Sequence, residues 1–70
     1  MKQEFIKAQN HGDVVHTQIF ETERGIYELI MVRHEEEVYS FKYLNGKLVE
    51  CHNLSKMKAV SKHGIRRQTV

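Results

Sequence analysis

The residue types best suited to chemistry in this chain are five histidines and one cysteine among seventy residues. Imidazole and thiolate groups bind zinc, so His16, His34, His52 and His63 together with Cys51 suggest a metal site. Such sites usually have paired short spacings, which this sequence lacks. Adjacent strand residues point to opposite faces, so the neighbours Cys51 and His52 cannot easily bind one ion. The sequence therefore predicts no metal and no cofactor.

Nucleophilic catalysis needs more than a thiol near an imidazole. Cys51 would require a base within reach and an oxyanion stabiliser, and no Gly-rich or helix-start loop lies beside it in the sequence. We expect a small core residue instead. The run Glu35-Glu36-Glu37 lacks the spaced acids and turn glycine of a calcium loop, which favours a solvated loop. We therefore expect no enzymatic activity.

The charges are unevenly distributed along the chain. Residues 51–70 carry five bases and no acid, whereas residues 1–50 carry six bases and nine acids, so +5 and −3 sum to the net +2. A basic surface attracts phosphates, which makes DNA or RNA a candidate partner of segment 56–67. A solvated helix face is the alternative. The candidate nucleic-acid-binding residues are Lys56, Lys58, Lys62, Arg66 and Arg67.

The strongest structural signal is Asn45-Gly46, the preferred pair for a two-residue β-hairpin loop. This loop predicts four opposed pairs: Leu44–Lys47, Tyr43–Leu48, Phe41–Glu50 and Tyr39–His52. Alternation then divides the side chains between two faces. One face would hold Tyr39, Phe41, Tyr43 and Leu48; the other would hold Val38, Leu44, Val49 and Cys51. The aromatic residues could stack on unpaired bases, but a domain this small favours them as core.

Two further strands are predicted upstream, at residues 14–22 and 26–33, because both segments are rich in β-branched and aromatic residues. Glu23-Arg24-Gly25 would join them as a three-residue bulged hairpin. Residues 34–37 would form the next connection. The sum is a four-stranded antiparallel meander. Residues 4–8 are predicted to add an edge strand, with a short helix as the alternative.

A short helix is predicted after the sheet. Asn53 or Ser55 would cap its start, Gly64 would end it, and the stripe Leu54, Met57 and Val60 would pack on the sheet. Residues 65–70 would form a last strand or a frayed tail. The predicted fold is therefore α+β: one domain over residues 1–70, with an antiparallel meander of four or five strands and a short C-terminal helix. A small β-barrel is the alternative.

Both faces of the predicted sheet are partly apolar. On the strand 26–33, Tyr27, Leu29 and Met31 alternate with three aliphatic residues, and one short helix cannot cover both sides. A closed barrel, a second copy, a different protein or a register slip of one residue would each resolve this. We expect a small regulatory binding protein that self-associates or contacts another protein. The candidate interface residues are Tyr27, Leu29, Met31, Tyr39, Phe41 and Tyr43.

The cellular context is predicted from what the sequence lacks. Its single cysteine argues against an oxidising compartment, and the segment MKQEFIKAQNHGD has no apolar run of signal-peptide length. No stretch approaches the roughly 20 apolar residues of a membrane span. We therefore expect a cytoplasmic protein with no membrane partner.

Overall fold

The computed structural model describes residues 1–57 as one antiparallel sheet with a helix on one side. Its elements are α1 (Gln3–His11), β1 (Asp13–Thr22), β2 (Gly25–His34), β3 (Glu37–Leu44) and β4 (Lys47–Asn53). Residues 54–57 form a helical turn, here called α2. The strand order β1-β2-β3-β4 is a meander, which confirms the predicted α+β fold. Within residues 1–57 the sheet is open, so the barrel alternative is not found there.

The N-terminal stretch is helical, and the prediction of an edge strand at residues 4–8 is wrong. Phe5 and Ala8 lie three residues apart and pack together on the sheet. The Phe5 ring meets the rings of Tyr39 and Phe41 edge-on, at centroid distances of 5.6 and 6.3 Å. A short helix gains most of its stability from such packing, so two apolar anchors suffice. We call the side of the sheet beneath α1 the covered face and the other side the open face.

The β3–β4 loop is the predicted two-residue hairpin. Asn45 and Gly46 have φ angles of 51° and 84°, which are the left-handed values that a type I′ turn requires. Leu44 lies opposite Lys47, as predicted. The Asn45 side chain also accepts a hydrogen bond from the Ile26 N–H at 3.0 Å, and the turn is thereby fixed to the start of β2.

The predicted register fails beyond the second pair of this hairpin. A bulge at Val49 shifts β4 by one residue, so Phe41 lies opposite Cys51 rather than Glu50, and Tyr39 lies opposite Asn53 rather than His52. The predicted position of Cys51 on the other face is therefore wrong, because the shift places its side chain against the core. A single inserted residue reverses every later side chain of a strand.

The other two connections are also two-residue turns. Thr22 pairs with Gly25, so the predicted three-residue loop is wrong and only residues 23 and 24 are unpaired. Gly25 has φ 136°, and a Cβ atom there would lie 2.5 Å from the Asn45 side chain. Between β2 and β3, Glu35 and Glu36 adopt φ angles of 52° and 68°. Both glutamates occupy a left-handed conformation that costs a side-chain-bearing residue about 1–2 kcal/mol.

The core is thin and lies on the covered face. Its buried members are Ala8, Val32, Tyr39 and Phe41, and its half-buried members are Phe5, Ile30, Tyr43, Leu48 and Cys51. Only Phe41, at 1% exposure, is a large and fully buried side chain within residues 1–57. Such a core uses one side of β2, β3 and β4, and no β1 residue belongs to it.

The start of α2 follows the prediction. The Asn53 Oδ1 atom accepts a hydrogen bond from the Lys56 N–H at 3.1 Å, which is the geometry of an N-cap. The Ser55 hydroxyl accepts one from the Val38 N–H at 3.0 Å and holds α2 beside the start of β3. The predicted positions of Val60, Gly64 and residues 65–70 lie outside the described residues. No helix in residues 1–57 is long and apolar enough to cross a membrane.

Candidate functional site

The open face carries an ordered set of side chains across the first three strands. Pairing of β1, β2 and β3 places these residues in three rows: Phe20, Tyr27 and Leu44; Gln18, Leu29 and Lys42; His16, Met31 and Ser40. The middle member of every row comes from β2. Tyr27, Leu29 and Met31 therefore form a continuous apolar column along the centre of the face. We call this set the β2 column.

The side chains of the β2 column are half-buried. At its end, Tyr27 stacks on Phe20 with ring centroids 5.4 Å apart and an interplanar angle of 19°. Phe20 itself is exposed. Neighbouring open-face side chains thus shield part of each other, while α1 lies on the opposite side. Within residues 1–57, no helix or strand packs over the column.

A charged rim borders the β2 column on the β3–β4 side. The Lys42 Nζ atom lies 5.6 Å from the Tyr27 ring centroid and 3.1 Å from a Glu50 carboxylate oxygen. The His52 Nε2 atom donates to the other Glu50 oxygen at 2.8 Å. The hydrogen bond from His52, followed by the contact with Lys42, holds the pKa of Glu50 below its ordinary value. The rim is thus a set of polar side chains that pair with one another.

The six residues predicted to form a protein interface are divided between the two faces. Tyr27, Leu29 and Met31 lie on the open face, and Tyr39, Phe41 and Tyr43 lie on the covered face. Tyr39 and Phe41 are buried, as the core interpretation expected, and they present no surface to a base or a partner. Tyr43 is half-buried, as are the three open-face residues.

A polar cluster fastens α1 to the end of the sheet. The Asn53 side-chain amide donates to Glu4 at 3.0 Å and to Glu37 at 2.9 Å, and the Tyr39 hydroxyl donates to Glu37 at 3.2 Å. The bond from Asn53 lowers the pKa of Glu4. Burial, and then the bond to Glu37, raises the pKa of Tyr39. With the α2 cap on its oxygen, both polar atoms of Asn53 are in use, so the cluster is structural.

The basic segment lies largely outside the described residues, which include Lys56 but not Lys58, Lys62, Arg66 or Arg67. Lys56 is exposed on α2, and its Nζ atom lies 3.7 Å from a Glu4 carboxylate oxygen. A lysine already paired with a carboxylate offers less to a phosphate. Nucleic-acid binding by segment 56–67 therefore stays a prediction.

The candidate residues for metal binding and nucleophilic chemistry are dispersed. Among residues 1–57, no three His, Cys, Asp or Glu side chains converge on one point. Cys51 is half-buried and packs against the core. It borders a shallow surface depression of about 320 Å³ that also contacts Met1 and Leu48.

Sequence reasoning missed four open-face residues for two reasons. Phe20 would have been found from a two-residue loop at residues 23 and 24, which sets it opposite Tyr27. Lys42, Glu50 and His52 come together only because of the Val49 bulge. A bulge without glycine has no reliable sequence signal, so the charged rim could not be predicted from the sequence.

The chain matches no protein-family model, and no curated protein or solved structure shows significant similarity to it.

Proposed function

We propose that this chain is a non-catalytic binding protein that acts by associating with a second copy of itself through the open face. The observation that supports this is the β2 column, which α1 leaves bare because it packs on the other side of the sheet. Covering this column with a partner would contribute about 25 cal/mol of binding free energy for every Å² of apolar surface removed from water.

The size of the face suits a second sheet. Four strands spaced about 4.8 Å apart give a width of about 19 Å, and strands that rise about 3.3 Å per residue give a length of about 30 Å. Two such faces in contact bury roughly 1,100–1,200 Å², at the lower limit of specific interfaces. We therefore expect reversible association at micromolar concentration.

The composition of the face suits a protein partner. An apolar centre bordered by polar groups is the usual organisation of an interface. Because Lys42 is already paired with Glu50, closing the face over these two side chains leaves neither charge without a partner. The same pairing makes Lys42 a poor phosphate contact, whereas Arg33 and Lys47 are exposed at the margins of the face.

A second copy of the chain offers a surface of matching size, with the same apolar centre and the same polar border. In a twofold arrangement, the same column and the same rim are presented by both molecules. Two stacked sheets pack about 10 Å apart with their inner side chains interdigitated. Tyr27, Leu29 and Met31 would then occupy the interior of a two-layer structure, which a chain of seventy residues cannot readily build alone.

The test compares two lysine substitutions of equal charge. Leu29→Lys places a cation at the centre of the β2 column, and Asn10→Lys places one on the exposed side of α1. In sedimentation equilibrium we expect Leu29→Lys to lower the weight-average mass at micromolar concentration and Asn10→Lys to leave it unchanged. Urea unfolding of both variants establishes that they are folded.

Two results would overturn the proposal. One is an unchanged mass for folded Leu29→Lys, which would show that the column takes no part in association. The other is a wild type that stays monomeric across the micromolar range, which would show that no second copy covers the column.

A further inference from the structure

We infer that the outer edge of β1 is a second self-association site, where β1 pairs antiparallel with β1 of another copy over residues 16–22. This inference adds to the proposed self-association but uses a different surface. It rests on the exposure of β1, on its regular pairing with β2, and on the distribution of its charges.

The first observation is that β1 is a long edge strand whose residues 16–22 contain no lysine, proline or bulge. All ten of its residues are exposed, and within residues 1–57 only β2 pairs with it. Natural edge strands are usually protected by lysine, proline, bulges or short length. β1 has neither lysine nor proline, and its two acids, Asp13 and Glu21, lie near its ends. The other edge, β4, has seven residues, an interior bulge and two charged side chains.

The second observation fixes the extent of the pairing. β1 has a bulge at Val15, and from His16 to Thr22 its pairing with β2 is continuous. A bulge twists an edge away from a neighbouring strand. The regular edge is therefore seven residues long, counted from His16 to Thr22, and its central residue is Ile19.

A twofold axis at Ile19 gives a register that satisfies both faces. Opposed residues in an antiparallel pair share a face, and this register opposes residues of like orientation. The resulting pairs are Ile19–Ile19, Gln18–Phe20, Thr17–Glu21 and His16–Thr22. No carboxylate faces another, because Asp13 lies beyond the bulge and Glu21 meets a threonine.

The residue at the centre of this register, Ile19, has a highly exposed apolar side chain. Ile19 is 68% exposed, the highest value among the exposed large hydrophobic residues of the described chain. It lies on the covered face, and Ile26, diagonal to it on β2, is also exposed. Pairing about Ile19 would bring the two Ile19 side chains together, each with Ile26 of its own copy on the diagonal.

The joined sheet would have eight strands with the open faces of both copies on one side. Two such pairs stacked through their open faces form a closed tetramer with two kinds of twofold interface. Blocking either the edge site or the open face would leave a dimer held by the other interface, and blocking both would leave a monomer.

The first experiment tests the register by crosslinking. In a Cys51→Ser background, Ile19→Cys is oxidised with diamide, which accepts the two electrons and two protons released when two thiols form a disulfide. Directly opposed residues have Cα atoms about 4.5–5.5 Å apart, within the range of a disulfide. We expect a disulfide dimer on a non-reducing gel for Ile19→Cys and little for Val14→Cys, which is 61% exposed on the same face but lies beyond the bulge.

The second experiment tests the edge by mass. Ile19→Lys should lower the weight-average mass at micromolar concentration, with Val14→Lys as the matched control, and circular dichroism reports the fold of each. The double variant Ile19→Lys/Leu29→Lys should sediment as a monomer of 8.3 kDa.

The outcomes separate this inference from the open-face proposal. A crosslink in the Ile19→Cys protein that persists when Leu29→Lys is added supports the edge site whatever happens at the open face. Absence of the crosslink, or an equal yield at Val14→Cys, overturns the edge site even if Leu29→Lys still lowers the mass. Occupation of the edge by residues 58–70 of the same chain would appear as a folded, uncrosslinked Ile19→Cys protein, and would also overturn it.

Discussion

The two faces of one sheet have similar apolar material and different cover. On β2, Ile30 and Val32 point to the covered face, where α1 seals them, whereas Leu29 and Met31 point to the open face. A strand that is apolar on both sides belongs in a layer buried on both sides. The nine-residue helix α1 supplies only one of these covers. Under the proposal made above, the second cover is another copy of the chain.

The polar groups of the two faces differ in a corresponding way. On the covered face, Asn53, Glu4 and Glu37 join separate elements and fix α1 to the sheet. On the open face, Lys42 and Glu50 join adjacent strands and leave the centre clear. The covered-face group stabilises the contact between α1 and the sheet. The open-face pair lies at the border of an exposed surface.

The largest expected effect separates the two faces by truncating an aromatic ring on each. Phe41→Ala removes the fully buried ring of the core, and we expect the free energy of unfolding to fall by about 3–5 kcal/mol. Phe20→Ala removes a ring that is stacked but exposed, and about 1 kcal/mol is expected in a dilute sample. Urea denaturation measures both. Equal losses would mean that the open face is already covered within one chain.

The next effect tests how the cover is fastened. Asn53→Ala removes the α2 cap and the two donations to carboxylates, and it should lower the free energy of unfolding by about 1–3 kcal/mol. Asn10→Ala, at an exposed position of α1, is the control and should change it by less than about 0.5 kcal/mol. Thermal unfolding of both variants is the measurement. Indistinguishable midpoints would show that the polar cluster does not help to hold α1 on the sheet.

A third effect raises stability without touching either face. Glu35→Asn with Glu36→Gly gives the β2–β3 turn the residues that its left-handed φ angles favour. We expect a gain of about 1–2 kcal/mol in the free energy of unfolding from relief of backbone strain. The sedimenting mass should stay the same, because the turn lies outside the β2 column. A change of mass in this variant would contradict this expectation, since it would show that the turn also affects association.

The smallest effect is the acid dependence contributed by one carboxylate on each face. The pKa of Glu4 is lowered in the folded chain, so its stabilisation is complete above about pH 4.5 and is lost as the pH falls through the lower folded value. Glu4→Gln should therefore flatten the acid limb of an unfolding curve measured against pH. The pKa of Glu50 is lowered too, so Glu50→Gln should have the same effect on the acid limb. Because Glu50 lies on the open face and pairs with Lys42, Glu50→Gln should also weaken association, whereas Glu4→Gln should not. Weaker association in Glu4→Gln alone would contradict the comparison.

The sequence predicted the features that local chemistry determines. The meander, the Asn45-Gly46 turn and the Asn53 cap follow from turn and capping preferences that act over a few residues. The apolar character of both sides of β2 follows from alternation along one strand. The alternation therefore predicts the β2 column. It does not predict which residues of β1 and β3 lie beside the column.

The remaining features depend on contacts between distant residues. α1 forms because Phe5 finds aromatic partners more than thirty positions along the chain, which no local pattern announces. The Val49 bulge decides which of Cys51 and His52 faces the core, and neither residue specifies the bulge. The candidate interface combined residues of two opposite faces because the pairing of β2 with β3, which sets Tyr27 opposite Leu44, was not known from the sequence.

The most direct test of a sheet completed by a second molecule is the mass of the unaltered protein. Sedimentation equilibrium across the micromolar range should give a weight-average mass that rises above 8.3 kDa with concentration, because more open faces close against each other. A mass that stays at 8.3 kDa throughout that range would contradict the account, since the β2 column would then be stable without a partner copy.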